Sequence, residues 1–370
     1  MKKAIISVTN DLISDRRVDK NCHALIKSGY DVLLIGRIRK NSLALEARDY
    51  RTHRMRLIFD KGPLFYAEYN FRLFLYLISH RVDLLFSNDL DTLLPNYLAS
   101  QIKRIPIVYD SHEYFTEVPE LDGRSFVQSI WRSIESYIFP KLKTVITVCD
   151  SIAQIYKGKY GNDVQVVRNI PPTRSTMDTI KSKEELGIPS HKKIIILQGA
   201  GINIDRGAEE LVDAMEFIEN AALLIIGSGD VIDILKEKAK KAEVYNRVFF
   251  FPKQPFDKLH HYTVHADLGI SFNKDTNLNY RYSLPNKLFE YIHAGVPVLA
   301  SSLIEMKNII DAFQVGMCIE DHSPKNIAKT INEIFENERL LLQWKENTKV
   351  AKTALNWENE EKKLLACFNF

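Results

Sequence analysis

The sequence has few of the features that mark secreted, metal-binding or membrane-spanning proteins. Its 370 residues include only four cysteines, Cys22, Cys149, Cys318 and Cys367. Their spacing matches neither a metal-ligand pattern nor a disulfide framework, so we expect reduced thiols and no metal site. The apolar run Ala4–Val8 is too short for the core of a signal peptide. No run reaches the roughly 20 apolar residues of a membrane span. We therefore expect a cytoplasmic protein that does not cross a membrane.

An excess of one charge is also missing. The net charge of +3 argues against a general nucleic-acid binder, which needs a strongly basic surface. The segment Arg37–Arg56 is nonetheless rich in Arg and Lys and contains only Glu46 and Asp49 as acids. Two interpretations stay open for this segment. It is either a solvated face, or a surface that contacts an anionic acceptor or the anionic inner face of the cell membrane.

The segment Pro63–Ile78 has an unusual density of aromatic residues for one helix. An amphipathic helix on a sheet buries a broad apolar stripe, so much of this helix belongs to the core. We expect some of the rings of Phe65, Tyr66, Tyr69 and Tyr76 to stay exposed. Aromatic side chains favour a membrane interface, and this expectation makes peripheral membrane binding a hypothesis.

The chain is long enough for two domains, since 370 residues exceed what one hydrophobic core usually organises. Short apolar runs alternate with helical patterns throughout, which is typical of parallel sheets with helical crossovers. The rhythm stops at 168–182, where Pro171 and Pro172 lie in an aperiodic polar stretch that reads as a linker. The sequence therefore predicts an α/β protein with two Rossmann-like, doubly wound parallel-sheet domains facing each other across a cleft.

The predicted strands fall into two series of six. The first comprises Ala4–Val8, Val32–Ile35, Leu84–Phe86, Ile105–Tyr109, Thr144–Cys149 and Val164–Val167. The second comprises Lys193–Leu197, Leu223–Gly227, Val248–Phe251, Leu268–Phe272, Val296–Ala300 and Val315–Ile319. The predicted domains are residues 1–170 and 171–345, followed by a helical segment at 346–370.

The most informative motif is the stretch Ser283–Val298. Pro285 suits a helix start, and Gly295 followed by a proline ends the helix. Lys287 and Glu290 are three residues apart, so they are expected together on the open face of the helix. A helix N-terminus with a lysine is a phosphate site, and a carboxylate one turn later can accept hydrogen bonds from ribose hydroxyls. An exposed Lys–Glu pair without a role is the alternative.

A second motif, Gln198–Gly207, joins a predicted strand to a helix. Glycines at 199, 201 and 207 allow close approach of the backbone to a ligand. Arg206 places a cation at the helix start and can bind a diphosphate through two donors. An ordinary strand-to-helix turn is the alternative.

Three further turns bear on the candidate site. His112 follows a strand in Asp110-Ser-His-Glu113 and can move a proton or orient a sugar hydroxyl, although a structural histidine is the alternative. The turn Gly227-Ser-Gly229 lacks the third glycine of a dinucleotide fingerprint, which counts against NAD. Asp89-Leu-Asp91 is the nearest thing to an Asp-x-Asp metal motif and reads as a turn or helix cap.

With these residues in view, the chain resembles the retaining GT-B glycosyltransferases of family 4 over nearly its whole length. Pro285–Val298 resembles that family's donor-binding helix and is the most specific match. The supporting matches are Ser14–Val18 leading to Gly29–Val32, Asp110–Glu113, Asn169, Asp205–Gly207, Leu224–Gly229 and Asn356–Glu358.

The resemblance implies a donor-binding C-terminal domain, an acceptor-binding N-terminal domain and a last helix that crosses back to the first domain. It implies that Glu290 binds the donor ribose, that Arg206 and Lys287 neutralise the diphosphate, and that His112 lines the sugar site. The remaining residues assigned to donor binding are Asn286, Leu288, Gly201, Gly207, Tyr282 and Arg17.

Two positions depart from the family pattern. Tyr282 stands where the family often has a second glutamate, and Gly201 stands where it often has a basic residue. The second departure suggests that Lys287 supplies the missing charge.

The expected activity is thus glycosyl transfer from a nucleotide-sugar to a glycan or lipid-linked acceptor, with retention and without metal or cofactor. Nucleic acid is not an expected partner, and an anionic membrane surface is one. A nucleotide-sugar epimerase and a non-catalytic glycosyltransferase-like subunit are the alternatives.

Overall fold

The computed structural model describes residues 1–174 and 180–368, which form two compact units. The first comprises Met1–Asn169 and the chain from Glu360 onward, and the second comprises Ile170–Asn359. The boundary expected at 170 lies one residue from the observed one, whereas residues 346–359 belong to the second unit. Residues 175–179 of the predicted linker and the last two residues lie outside the described part of the chain.

The first unit contains a seven-stranded parallel sheet of order β3-β2-β1-β4-β5-β6-β7. Its strands are β1 (Lys2–Ser7), β2 (Tyr30–Ile38), β3 (Arg51–Arg56), β4 (Leu84–Asn88), β5 (Ile107–Ser111), β6 (Thr144–Thr147) and β7 (Val164–Val166). Its helices are α1 (Arg16–Lys27), α2 (Pro63–Ser79), α3 (Leu90–Lys103), α4 (Ser125–Ile138) and α5 (Asp150–Tyr160). This is the doubly wound arrangement, with the strand order reversing between β1 and β4.

The second unit repeats the plan with a six-stranded parallel sheet of order β10-β9-β8-β11-β12-β13. Its strands are β8 (Lys193–Gly199), β9 (Ala221–Gly227), β10 (Val248–Pro252), β11 (Leu268–Ser271), β12 (Val298–Ser301) and β13 (Gly316–Ile319). Its helices are α6 (Ala208–Ala214), α7 (Ile232–Lys241), α8 (Phe256–Thr263), α9 (Leu278–Arg281), α10 (Asn286–His293), α11 (Ile304–Phe313), α12 (Pro324–Glu336) and α13 (Glu338–Ala354). The last helix, α14 (Trp357–Ala366), begins in the second unit and ends in the first.

Single turns of 3-10 helix complete the secondary structure. They lie at Phe115–Glu117, Pro119–Leu121, Phe139–Lys141, Met215–Phe217 and Tyr245–Arg247. Among the described residues, none of the helices is both long and apolar enough to traverse a bilayer.

Both predicted series of strands are present, and the α/β, doubly wound fold class is confirmed. The sheet of the second unit is buried on both faces, because successive residues of β8 pack into different cores. Ile195 and Leu197 belong to one apolar cluster, and Ile194 and Ile196 to the other. Strands buried in this way read as continuous apolar runs, which explains why the sequence revealed them.

Strand β3 was missed because its sequence, Arg51–Arg56, is almost entirely polar. It is an edge strand that pairs with β2, and only Met55 is buried. Charged residues on an edge strand discourage pairing with another chain. The same residues hide the strand from an analysis of apolar runs.

The basic segment Arg37–Arg56 does not form one solvated face. Arg37 is buried, donates to the carbonyl of Asp60 and lies over the ring of Phe65, 3.9 Å from its centroid. Arg48 donates to the hydroxyl of Tyr50. Arg51 forms a 2.7 Å salt bridge with Asp31, in addition to being part of β3. These three guanidinium groups are therefore engaged inside the first unit.

The expectation of exposed rings on α2 was wrong for Phe65 and Tyr69, which are buried against the sheet. Tyr66 and Tyr76 are half-buried. Tyr66 packs edge-on against Trp131 of α4, and Tyr76 stacks between two histidines. The rings lie on the core side because they recur at four-residue spacing with Leu73 and Leu77, which continue the same stripe.

Candidate functional site

The candidate site of the second unit lies at the carboxyl ends of β8 and β11. These two strands are neighbours, and the strand order reverses between them. Doubly wound sheets bind ligands at this switch point, because the loops that follow the two strands diverge and leave a crevice. The segment Gln198–Gly207 comprises the end of β8 and the loop that follows it, and the helices α9 and α10 follow β11.

Lys287 lies in the first turn of α10 and reaches toward the loop after β8. A methyl group placed on Gly199 would lie 3.8 Å from Lys287 Nζ. The side chain is only 9% exposed, so the expectation that Lys287 lies on the open face of the helix was wrong. Among the described residues, Lys287 forms no salt bridge, and the nearby carboxylate that favours its charge is Glu290.

The environment of Lys287 disfavours its charge. Burial and the nearby Arg206 lower the pKa of Lys287 to about 8, and Glu290 offsets only part of this effect. An anion bound beside the ammonium would reverse the shift, since an opposite charge within a few ångströms favours the charged form.

Arg206 flanks the same glycine loop. A methyl group on Gly201 would lie 3.9 Å from Arg206 Nη1. The guanidinium also lies over the ring of Tyr280, 5.1 Å from its centroid. Its buried Nε has no hydrogen-bond partner among the described residues. A buried donor without a partner is costly, so this atom is consistent with a site that an anion completes.

The backbone around Arg206 explains its direction. Asp205 and Gly207 have left-handed φ values of 63° and 66°, so the chain turns sharply on either side of Arg206. At Gly207 a β-carbon would approach Phe272 Cβ to 2.5 Å. The glycine is therefore needed for packing and for its conformation, whether or not a ligand approaches it.

Glu290 belongs to a chain of polar side chains. Gln198 Nε2 donates to Glu290 Oε2 over 2.7 Å, and Thr263 Oγ1 donates to Gln198 Oε1 over 2.8 Å. Tyr291, the next residue on α10, is buried and bonds backbone groups of Ile196, Gln198 and Ile270. This tyrosine ties the helix to the sheet at the point where Glu290 faces the loop.

The turn after β9 supports the glycine loop. A β-carbon on Gly227 would lie 1.8 Å from the carbonyl oxygen of Gly199, and one on Gly229 would lie 1.9 Å from that of Ile202. Both glycines are therefore required for backbone to pack on backbone. The turn therefore supports the glycine loop.

The other predicted donor-binding residues differ in their surroundings. Asn286 is exposed at the start of α10, and Tyr282 is half-buried at the end of α9. Leu288 is fully buried in an apolar cluster, and its amide donates to Pro285. The assignment of Leu288 to donor binding was wrong, because neither its side chain nor its amide is available to a ligand.

His112 lies in the first unit, after β5. Its ring is bracketed by two carboxylates, with Nε2 3.1 Å from Asp110 Oδ2 and Nδ1 3.3 Å from Asp89 Oδ2. Burial opposes the positive charge, but the two carboxylates outweigh it and raise the pKa of His112 to about 9. His112 is therefore an imidazolium at neutral pH.

Arg17 supports this arrangement from α1. Its Nε and Nη2 donate to the two oxygens of Asp110 over 2.9 and 2.6 Å, and its Nη1 donates to the carbonyl of Val167 over 2.7 Å. It is 3% exposed. The assignment of Arg17 to donor binding was wrong, because all three nitrogens are committed to an internal network centred on Asp110.

The structure thus gathers Lys287, Arg206, Gly201 and Glu290 in the second unit, as the sequence predicted. Sequence reasoning missed three residues. Gln198 carried a signal, since it lies in β8 directly before the first glycine of the loop. Thr263 carried none, and Asp89 was noticed only as part of a turn.

Comparisons with known proteins identify glycosyltransferase families in both halves of the chain. The protein-family model for Glycosyltransferase Family 4 matches residues 15–173, and the model for Glycosyl transferases group 1 matches residues 178–351. No curated protein sequence matches this chain.

Solved structures with the same fold cover nearly the whole chain. Sucrose-phosphate synthase from Thermosynechococcus elongatus has 16% identity and a TM-score of 0.79, covering 98% of this chain and 97% of its own. WaaG, a glycosyltransferase involved in lipopolysaccharide biosynthesis, has 15% identity and a TM-score of 0.76, covering 99% of both chains. HepE from Anabaena in complex with UDP-glucose has 14% identity, a TM-score of 0.76 and 99% coverage of both chains. The chain is a GT-B glycosyltransferase that belongs to glycosyltransferase family 4, with a group 1 glycosyl transferase segment as its second half.

Proposed function

We propose that the second unit binds a nucleotide-sugar through Lys287, Arg206 and Glu290, and that the enzyme transfers the sugar to a glycan or lipid-linked acceptor with retention. The observation that carries this proposal is the pair of cations beside the glycine loop at the switch point. Neither Lys287 nor Arg206 forms a salt bridge among the described residues, and a methyl group on Gly199 or Gly201 would touch one or the other. A diphosphate is the anion that fits two cations and a helix N-terminus.

The nucleoside part of the donor is assigned to Glu290. Its carboxylate lies one turn after Lys287 on α10, and Gln198 holds it from the β8 side. A carboxylate one helical turn away from a diphosphate site can accept hydrogen bonds from the two hydroxyls of a ribose. HepE, which has the same fold, is known in complex with UDP-glucose, so a uridine nucleotide is the first donor to test.

The proposed chemistry needs no metal. The bond between the sugar and the diphosphate breaks with negative charge developing on the leaving phosphate. Arg206 and Lys287 stabilise that charge, and fixed cations in a partly buried site do so with little reorganisation. We infer the retention of configuration and the contact between His112 and the transferred sugar from the resemblance to family 4.

The acceptor is assigned to the first unit. A cavity of about 470 Å³ lies there between α1 and the segment 43–49. Its polar lining includes Ser14, Arg16, His23 and Asp49. A cavity of this size holds a small ligand, and mixed hydroxyl, carboxylate and cationic groups suit a hydroxyl-rich acceptor.

For peripheral membrane binding, a different surface of the first unit is a better candidate than the segment Arg37–Arg56. The crossovers through α2, α3 and α4 run in the same direction across the sheet, so right-handed connections put these helices on one face. Each helix carries exposed apolar side chains on its outer side: Leu64, Phe71 and Leu75 on α2, Leu98 and Ile102 on α3, and Phe126, Ile130 and Tyr137 on α4. We call this the α2–α4 surface.

Cations gather at one end of the α2–α4 surface. Arg81, Arg104, Lys141 and Lys143 are exposed and follow the C-terminal ends of α2, α3 and α4. Lys141 Nζ lies 3.0 Å from the ring centroid of Tyr137. Exposed apolar side chains bordered by cations suit an anionic lipid surface. We propose that this surface holds the enzyme on the cytoplasmic leaflet.

The test is a binding screen of UDP-, GDP-, ADP- and dTDP-sugars by thermal shift, followed by analysis of the products formed with and without acceptor. A donor that stabilises the protein and is consumed to give a glycosylated acceptor with the donor's anomeric configuration supports the proposal. Formation of an epimeric nucleotide-sugar from donor alone would identify an epimerase instead. Absence of any stabilisation would favour a non-catalytic relative, which the residues Tyr282 and Gly201 make the relevant alternative.

A further inference from the structure

His112 is held between two neighbouring strands of the first unit. Asp89 follows β4 and Asp110 lies in β5, and the two strands are paired in parallel. Asp89 Oδ1 accepts the backbone N–H of His112 over 2.9 Å. The ring nitrogens of His112 face Asp89 Oδ2 at 3.3 Å and Asp110 Oδ2 at 3.1 Å. Both ring nitrogens are thus directed at carboxylates.

The two carboxylates differ in their other partners. Asp110 is fully buried and accepts further hydrogen bonds from Arg17 and Asn21. Asp89 is partly exposed, with 22% of its side chain accessible. Within the described residues, the hydrogen-bond donors near the Asp89 carboxylate all belong to His112. The Asp110 carboxylate therefore binds several residues of the network, whereas the Asp89 carboxylate contacts His112.

The backbone of Asp89 is specialised for this contact. Its φ of 58° with ψ of 167° lies outside the regions that residues with a β-carbon prefer. Asp and Asn enter positive φ more readily than most residues. The amide of Asp89 donates to the carbonyl of Asp110 over 2.8 Å, which continues the pairing of β4 with β5 past the strand end. This conformation brings the carboxylate back over His112.

We propose that Asp89 is a positioning residue that, together with Asp110, fixes His112 as an oriented imidazolium, with Nε2 hydrogen-bonded to Asp110 and Nδ1 in an ion pair with Asp89. In this state His112 cannot accept a proton from an acceptor hydroxyl, and its contribution is a fixed positive charge. The inference deepens the proposed function, on which the placement of His112 at the transferred sugar rests.

The charged groups around His112 come from three elements and the loop after β5. Asp89 and Asp91 flank the start of α3, Asp110 comes from β5, and Arg17 comes from α1. Glu113 follows in the loop and acts on Asp91. Burial and Asp89 raise the pKa of Asp91 to about 7 although Thr9 donates to it. Burial also raises the pKa of Asp89, while His112 and its amide lower it. Asp89 and Asp110 are the carboxylates that raise the pKa of His112, against the opposing effects of burial and Arg17.

The variant Asp89→Asn isolates the proposed role. Asparagine keeps the size of the side chain, tolerates positive φ and can still accept the His112 amide through its carbonyl oxygen. It removes the negative charge beside Nδ1. Replacing Asp110 is less informative, because the buried Arg17 would lose its counter-ion and the unit could fail to fold. Asp122→Asn, at an exposed position of the same unit, is the matched control.

The readout is the titration of the His112 imidazole by NMR, assigned among the ten histidines by comparison with His112→Asn. In the unmodified enzyme and in Asp122→Asn we expect His112 to titrate with a pKa of about 9. In Asp89→Asn we expect a pKa lower by about one unit or more, the scale of a nearby opposite charge. Titration near the ordinary histidine value in the unmodified enzyme, or an unchanged pKa in Asp89→Asn, would overturn the proposal.

Turnover separates this inference from the proposed function. Because the charged form is the working form, activity should hold as pH rises through 7 to 8 in the unmodified enzyme. In Asp89→Asn activity should fall at a lower pH that follows the new His112 pKa, with UDP affinity unchanged. If the pH dependence of turnover in Asp89→Asn does not follow the shifted pKa of His112, the role of His112 as a fixed charge is refuted. If His112→Asn retains full turnover while the NMR titration is as expected, the placement of His112 at the sugar fails and the positioning by Asp89 stands.

Discussion

Gln198 Nε2 donates a 2.7 Å hydrogen bond to Glu290 Oε2. Thr263 Oγ1 donates to the other end of the same amide. An ionised carboxylate can only accept hydrogen bonds, so the NH₂ group of Gln198 faces Glu290 and its carbonyl oxygen faces Thr263. The carboxylate that we assign to the donor ribose is therefore oriented from β8 and α8 together.

This relationship predicts the behaviour of Gln198→Leu. The substitution removes the donor to a charged acceptor, a loss of about 1.5–3 kcal/mol when the bond is intact in both states. Part of this free-energy loss lowers the stability of the protein and part lowers its affinity for UDP, so we expect UDP to bind roughly tenfold more weakly. Calorimetric titration measures this affinity. Gln343→Leu, on the exposed side of α13, is the control. Equal UDP affinity in the two variants would contradict the role of Gln198.

The pH dependence of nucleotide affinity tests Lys287. Its pKa in the free protein is lowered to about 8. A bound diphosphate favours the ammonium, so binding has its full contribution below pH 8 and weakens as pH rises above it. The phosphate itself changes charge near pH 6, well below this window. UDP affinity measured from pH 7 to 9.5 should therefore decline above about pH 8.

Lys287→Arg is the matched control for that decline. Arginine stays charged throughout the range, so UDP affinity in this variant should stay level up to pH 9.5, whatever its absolute value. A parallel decline in both proteins would assign the titration to another group.

Turnover tests the stabilisation of the leaving group. If Arg206 and Lys287 act on charge that develops in the transition state, removing either cation should lower kcat more than it raises KM. We expect losses in kcat of about 10²-fold for Arg206→Ala, by analogy with the loss of one preorganised donor. The assay is run with chelator, where activity should persist. A strict requirement for added divalent metal would show that the leaving group is stabilised in another way.

The fold was readable from sequence because its strands are buried on both faces. The continuous apolar runs of β8 and β9 have no solvated side to interrupt them. Strand β3 shows the limit of this approach. Its partner β2 supplies the pairing, while its own residues are charged and exposed, so no local pattern distinguishes it from a loop.

The sequence predicted the site residues that lie in local motifs. It did not predict the features of the site that depend on tertiary contacts. Lys287, Glu290 and Arg206 lie in motifs whose spacing is local. Lys287 is buried, the Arg17 guanidinium is paired with Asp110, and Thr263 forms a hydrogen bond with Gln198. These three features depend on contacts between residues far apart in the chain. The side of a helix that faces the core was also misjudged at α2, where aromatic and aliphatic residues cover almost the whole circumference.

Vesicle co-sedimentation tests the α2–α4 surface. We expect pelleting with anionic vesicles at low salt and release at high salt, because screening shortens the reach of the cations. Each cation near anionic lipid contributes about 1 kcal/mol, so Arg81→Gln with Lys143→Gln should weaken binding roughly thirtyfold. Arg39→Gln with Lys40→Gln, in the basic segment Arg37–Arg56, is the control and should bind as the unmodified protein does. Equal pelleting with neutral and anionic vesicles would remove the membrane proposal.

The central claim is that Glu290 and the two cations form a nucleotide site in the second unit. Calorimetric titration of UDP-glucose into the unmodified protein and into Glu290→Gln tests it most directly. The substitution keeps the size of the side chain and weakens the acceptor for the ribose hydroxyls, so affinity should fall by about 1.5–3 kcal/mol, with little change in thermal stability. If another nucleotide-sugar proves to be the donor, the same comparison applies to that ligand. Undiminished donor affinity in Glu290→Gln would contradict the account.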